Sequence, residues 1–242
     1  MLTSIVIPTY NKVDLLRECI ASIRINTPQF DYELIVVDNG SRDGTVDYLR
    51  AEQIPFISLP TNEGFPVACN RGLALADGDA LMVLNNDVLV GPRWLEQLVA
   101  CLNRSEDVGI VGPVTNYASG RQQSPVPFTT LEEMASRFSR ENKGKVEEVK
   151  RLVGLCFLFK RQVMETIGLF DEAFSPGHYE DDDYCYRARQ AGYKLLVDWS
   201  TYIFHHGSAS FREQGQTALD RLIAENRQKF IDKWGVEPET FH

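Results

Sequence analysis

The chain has 242 residues, which is long enough for one large domain with a sizeable hydrophobic core. Its formal net charge of −9 argues against a nucleic-acid partner, because proteins usually meet nucleic acid with a basic face. No apolar run approaches the roughly 18 residues of a membrane span, so any association with a membrane is expected to be peripheral.

Short β-branched runs alternate with helical periodicity through the first 113 residues. Strands are expected at 3–8, 32–38, 55–59, 80–87 and 108–113, and helices at 12–24, 43–51, 64–76 and 92–103. This alternation is typical of βαβ units that form a mostly parallel sheet buried on both faces. Ligands bind beyond the carboxyl ends of such strands, which directs attention to residues 8–10, 38–41 and 85–87.

The pattern is less regular after residue 113. Residues 114–129 are polar and interrupted by prolines. Further elements are expected as a helix at 130–150, strands at 152–159 and 194–208, and a final helix at 216–233. No repeat, low-complexity segment or linker divides the chain, so we expect one α/β domain over residues 1–242.

Five cysteines, none of them in a CxxC pair, lie at positions 19, 69, 101, 156 and 185. An odd number without a disulfide framework is typical of reduced thiols, most of them packed in the core of a cytoplasmic protein. The N-terminal stretch MLTSIVIPTY has no basic segment followed by an apolar run, so no secretory leader is expected.

Polar residues follow two of the expected strands. The turn in VVDNGSRDGT has a plain interpretation, in which Asp43 caps the next helix. Asp38, however, closes an apolar strand, where a carboxylate can accept a hydrogen bond from a base or ribose. LMVLNNDVLVGP ends a second apolar strand in two amides and Asp87. A carboxylate there suits a hard divalent cation that bridges a diphosphate, and an ordinary turn residue is the alternative.

Two adjacent histidines, His205 and His206, lie in the stretch YIFHHGSAS at the end of an expected strand. Histidine is the commonest metal-binding side chain, although beside a strand it is more often packed or solvated. Because neighbouring residues on a strand point to opposite faces, at most one of the two is expected to face a site.

The stretch HYEDDDYCYRARQAGY places four consecutive carboxylates, at 180–183, ahead of an amphipathic helix. The helix dipole favours acidic residues at this end by about 0.3–1 kcal/mol each, which accounts for one or two of the four. Arg187 and Arg189 are candidates to offset part of the charge. Beyond a solvated helix start, the cluster can be a metal site or an acid/base centre, and the latter is favoured because perturbed carboxylates concentrate at active sites.

Six motifs occur in the order seen in family 2 glycosyltransferases: SIVIPTYN, VVDNGSRDGT, NEGFPVACNRG, LNNDV, YEDDDYCYRARQAGY and HHGS. On these motifs, which span about residues 3–210, the chain resembles an inverting enzyme of that family, nearest to the bacterial rhamnosyltransferase-like branch. The resemblance implies a GT-A-type (Rossmann-like), mostly parallel central sheet flanked by helices. It also implies a nucleotide-sugar-binding half at about 1–113 and an acceptor and catalytic-base half at about 114–242.

The resemblance further implies roles for particular residues. The nucleotide sugar would be held by Pro8, Tyr10, Asp38, Asn62, Gly64, Asn70 and Asn86. Asp87 and His205 would bind Mn²⁺ or Mg²⁺ on the donor diphosphate. Asp181, beside Glu180, would be the base that takes the proton from the acceptor hydroxyl, which makes the acidic cluster an acid/base centre.

The implied activity is the transfer of one sugar from a UDP- or dTDP-linked donor to an acceptor hydroxyl in bacterial surface glycan or glycoconjugate synthesis. The acceptor would be a glycan, a lipid-linked sugar or a protein, chosen by residues 114–150 and 172–179. Two departures from the family pattern are present: the metal motif Asn85-Asn86-Asp87 has one carboxylate, and QKFIDKWG lacks the QxxRW of processive synthases. A non-processive enzyme therefore fits better.

Two rival functions are weighed against this one. A nucleotide-sugar-binding protein without turnover would not need the cluster at 180–183. A sugar-phosphate nucleotidyltransferase would normally carry a glycine-rich phosphate loop after its first strand, and PTYNKVDLL contains no glycine. The same stretch cannot contain the GxGxxG motif of dinucleotide-dependent oxidoreductases, which argues against that class as well.

Overall fold

The computed structural model describes residues 1–124, 126–207 and 216–241. Its strands are β1 (Thr3–Thr9), β2 (Tyr32–Asp38), β3 (Phe56–Ser58), β4 (Ala80–Leu84), β5 (Val88–Val90), β6 (Val108–Thr115), β7 (Val146–Val149), β8 (Cys156–Lys160) and β9 (Lys194–His205). Its helices are α1 (Val13–Asn26), α2 (Thr45–Ala51), α3 (Phe65–Leu73), α4 (Trp94–Leu102), α5 (Leu131–Glu141), α6 (Arg161–Ile167), α7 (Glu180–Gln190) and α8 (Gln216–Trp234).

These strands join one sheet in the order β3-β2-β1-β4-β8-β6-β9-β5, and β7 also pairs with β9. The pairings of β1 with β2 and β4, and of β2 with β3, are parallel, as the βαβ pattern predicts. β8 runs antiparallel to β4 and β6, and β5 and β7 run antiparallel to β9. β6 and β9 are again parallel. The α/β class and the central sheet flanked by helices are confirmed, and antiparallel pairings enter the sheet only where β5, β7 and β8 join it.

Apolar residues cover both faces of the sheet. All residues of β1 and β4 are buried, and their alternate side chains enter two separate hydrophobic clusters. α1 and α4 pack on one face, whereas α3 and α7 pack on the other. At Gly72 of α3 a Cβ atom would lie 2.3 Å from Val6 Cγ1, so this helix rests directly on β1.

Two expected elements differ in the structure. The single helix expected at 130–150 is wrong in its second part: α5 ends at Glu141, and after a turn at Gly144 (φ +74°) the chain forms β7 along β9. The backbone groups of β9 that pair with β7 are about 50 residues away in sequence, beyond the reach of local periodicity. The strand expected at 80–87 ends at Leu84, which leaves residues 85–87 as a turn before β5.

The other expected elements occur close to their predicted bounds, including α8, and residue 208 of the expected strand 194–208 lies outside the described residues. All five cysteines are free and buried, which confirms the prediction of core thiols. Within the described ranges, no helix is long and apolar enough to cross a membrane.

Candidate active site

A cavity of about 490 Å³ opens at the edge of the sheet where β1, β2, β4, β6 and β9 end. Its wall includes residues at or just beyond those strand ends, namely 8–10, Asn39, 85–87, 117–119 and His205. The wall also includes residues from the segment 151–155, the turn before α7 and the first turn of α7, together with Asn62, Phe65 and Ile223. The cavity therefore lies where the strand pattern predicts a ligand site.

The EDDD stretch at 180–183 begins α7, and all four carboxylates are buried. Their exposed fractions are 6% for Glu180, 7% for Asp181, 3% for Asp182 and 0% for Asp183. A solvated helix start is thereby excluded, because a buried charge is costly unless partners offset it. Successive helical residues point about 100° apart, so each of the four side chains meets different surroundings.

Asp183 is directed at α8 and does not line the cavity. One carboxylate oxygen accepts a hydrogen bond from Arg187 Nε at 2.8 Å, as the sequence predicts. The other accepts from Lys233 Nζ at 2.6 Å and Trp234 Nε1 at 2.9 Å, both on α8. Asp183 thus fastens α7 to α8. Arg189 instead lies over the ring of Phe241, 4.9 Å from its centroid.

Asp182 pairs with an arginine that sequence reasoning missed. Arg151 Nε lies 2.6 Å from Asp182 Oδ1, and Arg151 Nη1 donates to Ser119 Oγ at 2.8 Å. The arginine stands in the connection between β7 and β8, outside all of the six motifs, so no local signal identified it.

Asp181 faces the cavity and is held by two backbone donors. Its Oδ2 accepts from the Gly154 N–H and its Oδ1 from the Asp182 N–H, both at 2.9 Å. Burial raises the pKa of Asp181 and Asp182 raises it further, whereas Arg151 and the Gly154 N–H lower it, with a result of about 6. The carboxylate is therefore ionised at neutral pH but basic enough to accept a proton.

Arg151 and a backbone N–H also lower the pKa of Glu180, but burial and neighbouring charge outweigh them. Its Oε2 is buried without a hydrogen-bond partner among the described residues. Burial, and then the charge of Asp181, hold the pKa of Glu180 well above its ordinary value. Adjacent carboxyls whose pKa values are pushed apart can take different roles, and here Asp181 is the group suited to act as a base.

A Glu180→Gln variant is expected to remove a pH-dependent loss of stability. The folded state keeps the Glu180 proton above the ordinary pKa of 4.5, where the unfolded chain has released it. The wild-type free energy of unfolding should therefore fall relative to the variant by about 1.4 kcal/mol per pH unit as pH rises above that value. Urea unfolding from pH 4.5 to 8 measures the difference, and parallel curves for the two proteins would contradict it.

The turn before α7 is fixed by α8. His178 and Tyr179 have φ of +71° and +73°, a region that non-glycine residues rarely adopt. Asn226, which is fully buried, donates from Nδ2 to the carbonyls of Phe174 and Gly177 at 2.7 and 2.8 Å. These bonds hold the strained turn, and with it the start of α7, against the cavity.

Asp87 and His205 form a second polar centre. His205 Nε2 lies 3.2 Å from Asp87 Oδ1, and the exposed fractions of the two residues are 6% and 5%. The Nδ1 of His205 lies 2.9 Å from the Tyr117 carbonyl, to which it donates a hydrogen bond, and Nε2 faces Asp87. His206 points away, with Nε2 3.9 Å from Glu18 Oε2, so one histidine faces the site, as predicted.

The Asp87–His205 pair can contribute two ligands to a cation. A carboxylate oxygen and an imidazole nitrogen are donors that Mn²⁺ accepts, and their separation is that of two ligands around one ion. Within the described residues, no group of three or more His, Cys, Asp or Glu side chains could hold a metal. The nearby Asn85 Oδ1 is buried without a hydrogen-bond partner among the described residues. The residues fit a cation whose remaining ligands come from a bound substrate.

Four of the residues expected to hold a nucleotide sugar line the cavity: Pro8, Tyr10, Asn62 and Asn86. Tyr10 is 36% exposed, which leaves its ring accessible for stacking. The amide of Asn86 donates to Thr9 Oγ1 at 2.8 Å, which fixes the turn that ends in Asp87.

The other three lie outside the cavity wall. Asp38 is 1% exposed and accepts from the Ser41 N–H and the Ser58 hydroxyl. Asn70 bonds both backbone groups of Phe170 and so joins α3 to the segment before α7.

Gly64 allows a close approach, but to protein rather than to the cavity. A Cβ there would lie 2.8 Å from Pro176 Cα, and its φ is +98°. Its place is set by the contact between the turn that precedes α3 and the turn that precedes α7.

Comparison with known proteins identifies the family. The model of glycosyl transferase family 2 matches residues 4–168, which is more than half of the chain. The chain belongs to the family 2 glycosyltransferases. The acidic cluster and His205 lie beyond the matched residues.

Proteins with similar sequences include some that are named for glycan synthesis. The O-antigen biosynthesis protein RfbC of Myxococcus xanthus is 30% identical over 91% of this chain, which spans 18% of that protein's length. The N-acetylglucosaminyl-diphospho-decaprenol L-rhamnosyltransferase of Mycobacterium tuberculosis is 27% identical over 94% of this chain and 82% of its own. Among solved structures, GalNAc-T7 with UDP, GalNAc and Mn²⁺ has a TM-score of 0.68 and 20% identity over 85% of this chain and 44% of its own. This likeness shows the GT-A fold.

Proposed function

We propose that the protein is an inverting, non-processive glycosyltransferase that moves one sugar from a UDP- or dTDP-linked donor to an acceptor hydroxyl. Family membership supports glycosyl transfer in glycan synthesis. The observation that carries the finer proposal is the pair of centres on one cavity wall: Asp181, a buried carboxylate with a pKa of about 6, and the Asp87–His205 pair.

The chemistry assigned to Asp181 is general-base catalysis. Its carboxylate takes the proton of the acceptor hydroxyl while that oxygen bonds to the anomeric carbon of the donor. The bond from the anomeric carbon to the diphosphate breaks on the opposite face, and its electrons leave with the nucleoside diphosphate. Attack from that face inverts the anomeric configuration.

Asp87 and His205 are proposed to hold Mn²⁺ or Mg²⁺ against the donor diphosphate. Such a cation supplies positive charge where negative charge develops on a leaving diphosphate. The proposal is supported by the 3.2 Å separation of the two donor atoms and by their burial. GalNAc-T7 was crystallised with Mn²⁺ and UDP, which supports a metal in a related fold.

We further propose that the two parts of the chain, about 1–113 and 114–242, bind different substrates. Residues 8–10, Asn62 and 85–87 of the first 113 residues would bind the nucleotide sugar. The acceptor, a glycan, a lipid-linked sugar or a protein side chain, would meet 117–119 and the turn at 176–179, which line the same cavity. A rhamnosyltransferase and an O-antigen biosynthesis protein among the relatives support a role in bacterial surface glycan synthesis.

A non-catalytic nucleotide-sugar-binding protein is the rival proposal. It fits less well, because nucleotide-sugar binding alone gives no reason for a buried, cavity-facing carboxylate with a raised pKa at Asp181.

Calorimetric titration of UDP, dTDP and GDP, each with and without Mn²⁺, tests the donor site directly. We expect one nucleotide to bind the wild-type protein at least about tenfold more tightly with Mn²⁺, and Asp87→Ala to abolish that gain. His206→Ala is the matched control, because its side chain points away from the cavity, and it should keep the gain. If no nucleotide binds under any condition, the proposed donor site is wrong.

A further inference from the structure

We propose that Arg151 is a positioning residue for the reaction: its ion pair with Asp182 balances the charge next to Asp181, so that Asp181 meets the acceptor as an anion in a fixed orientation. This inference rests on the proposed function.

The guanidinium of Arg151 joins three elements at the cavity. It contacts Asp182 of α7 at 2.6 Å and Ser119, beyond β6, at 2.8 Å, and it extends from the segment that precedes β8. The side chains of Arg151 and Asp182 are 14% and 2% exposed, so water screens their interaction weakly.

The backbone beside Arg151 is bonded to the same helix. The Leu152 N–H donates to Cys185 Sγ at 3.3 Å and the Gly154 N–H donates to Asp181 at 2.9 Å. The Val153 N–H donates to Gln122 Oε1 at 2.7 Å. Arg151 is therefore held in register with the first turn of α7 by bonds that do not depend on its own side chain.

The charges around Asp181 determine what the pair does. Asp182 opposes ionisation of Asp181, and Arg151 favours it. The titratable and charged groups near Asp181 or on the wall that it shares are Glu180, Asp182 and Cys185 on α7, His178 and Tyr179 before it, Arg151, Tyr10, Asp87, Tyr117 and His205. Arg151 is the permanent cation among them, and its ion-pair partner is the carboxylate adjacent to Asp181 in sequence.

The two members of the pair should consequently act on Asp181 with opposite signs. Loss of Arg151 leaves Asp182 as an uncompensated negative neighbour, so Asp181 would keep its proton to higher pH. Loss of the Asp182 charge leaves Arg151 free to stabilise ionised Asp181 alone. Loss of both charges should nearly restore the original balance.

The test is the pH dependence of kcat/KM for Arg151→Met, Asp182→Asn and the double variant, with the donor and Mn²⁺ saturating. We expect the acidic limb to move up by about one pH unit in Arg151→Met, to move down by a similar amount in Asp182→Asn, and to return close to wild type in the double variant. If Arg151→Met does not fold, the comparison of Asp182→Asn with the double variant still measures the effect of Arg151.

Arg121→Met is the matched control, because this arginine is 66% exposed and pairs with Glu147 outside the cavity. Its acidic limb should not move. Equal loss of rate at every pH in all variants, without opposite movement of the limb, would overturn the proposal and leave Arg151 a merely structural residue. Nucleotide titration of the same proteins separates the two hypotheses. If nucleotide binding depends on Mn²⁺ but the acidic limb of the pH profile does not move, only the role proposed for Arg151 is rejected. If the wild-type protein binds no nucleotide, the proposed function is rejected.

Discussion

Asp181→Asn is expected to lower the rate of sugar transfer by about 10²- to 10⁴-fold while nucleotide binding stays within about twofold of wild type. The amide keeps the volume of the carboxylate, but it cannot take the proton of an acceptor hydroxyl. Asp181 lines the cavity, and its backbone contacts fix the carboxylate there. Transfer measured by released nucleoside diphosphate, together with calorimetric nucleotide binding, separates the two effects.

The pH profile gives a second test of the same assignment. A base must be ionised to act, so wild-type kcat/KM should rise with pH through the Asp181 pKa of about 6 and then level off. Glu180→Gln is the matched control in the neighbouring position, and it should retain the rise and most of the rate. Retention of activity by Asp181→Asn and its loss in Glu180→Gln would transfer the role of base to Glu180.

The first half of the fold could be predicted because its signals are local. β1, β2 and β4 are compact apolar runs separated by helices, and parallel crossovers of this kind place their carboxyl ends at one edge. The cavity lies at that edge, with residues 8–10 and 85–87 in its wall.

The second half depends on pairings that are distant in sequence. β8 is inserted between β4 and β6, and β7 lies along β9, so neither direction nor register could be inferred from periodicity. The same limit explains Arg151. The role inferred for Arg151 depends on its ion pair with Asp182, 31 positions later in sequence. The two residues meet only because the connection before β8 folds against α7.

The sequence predicts an acidic cluster at 180–183, but it does not predict the separate surroundings of its four side chains. Four consecutive carboxyl side chains suggest one shared role, but helical rotation directs them to different neighbours. Asp183 contacts α8, Asp182 contacts Arg151, and Asp181 accepts from the Gly154 N–H and faces the cavity. The Oε2 of Glu180 has no hydrogen-bond partner among the described residues. One turn of helix therefore combines an interhelical anchor, a charge partner and the proposed base.

Asp183→Ala is expected to lower the free energy of unfolding by about 3–5 kcal/mol, the largest stability effect predicted for this chain. The carboxylate is fully buried, and its removal takes an acceptor from Arg187, Lys233 and Trp234 together. Asp171→Ala is the matched control, because Asp171 contacts the same Lys233 at 2.7 Å but is 31% exposed, and it should cost less than about 1 kcal/mol. Urea unfolding at pH 7.5 measures both, and equal losses would mean that the lysine contact alone, rather than the buried carboxylate, fastens α7 to α8.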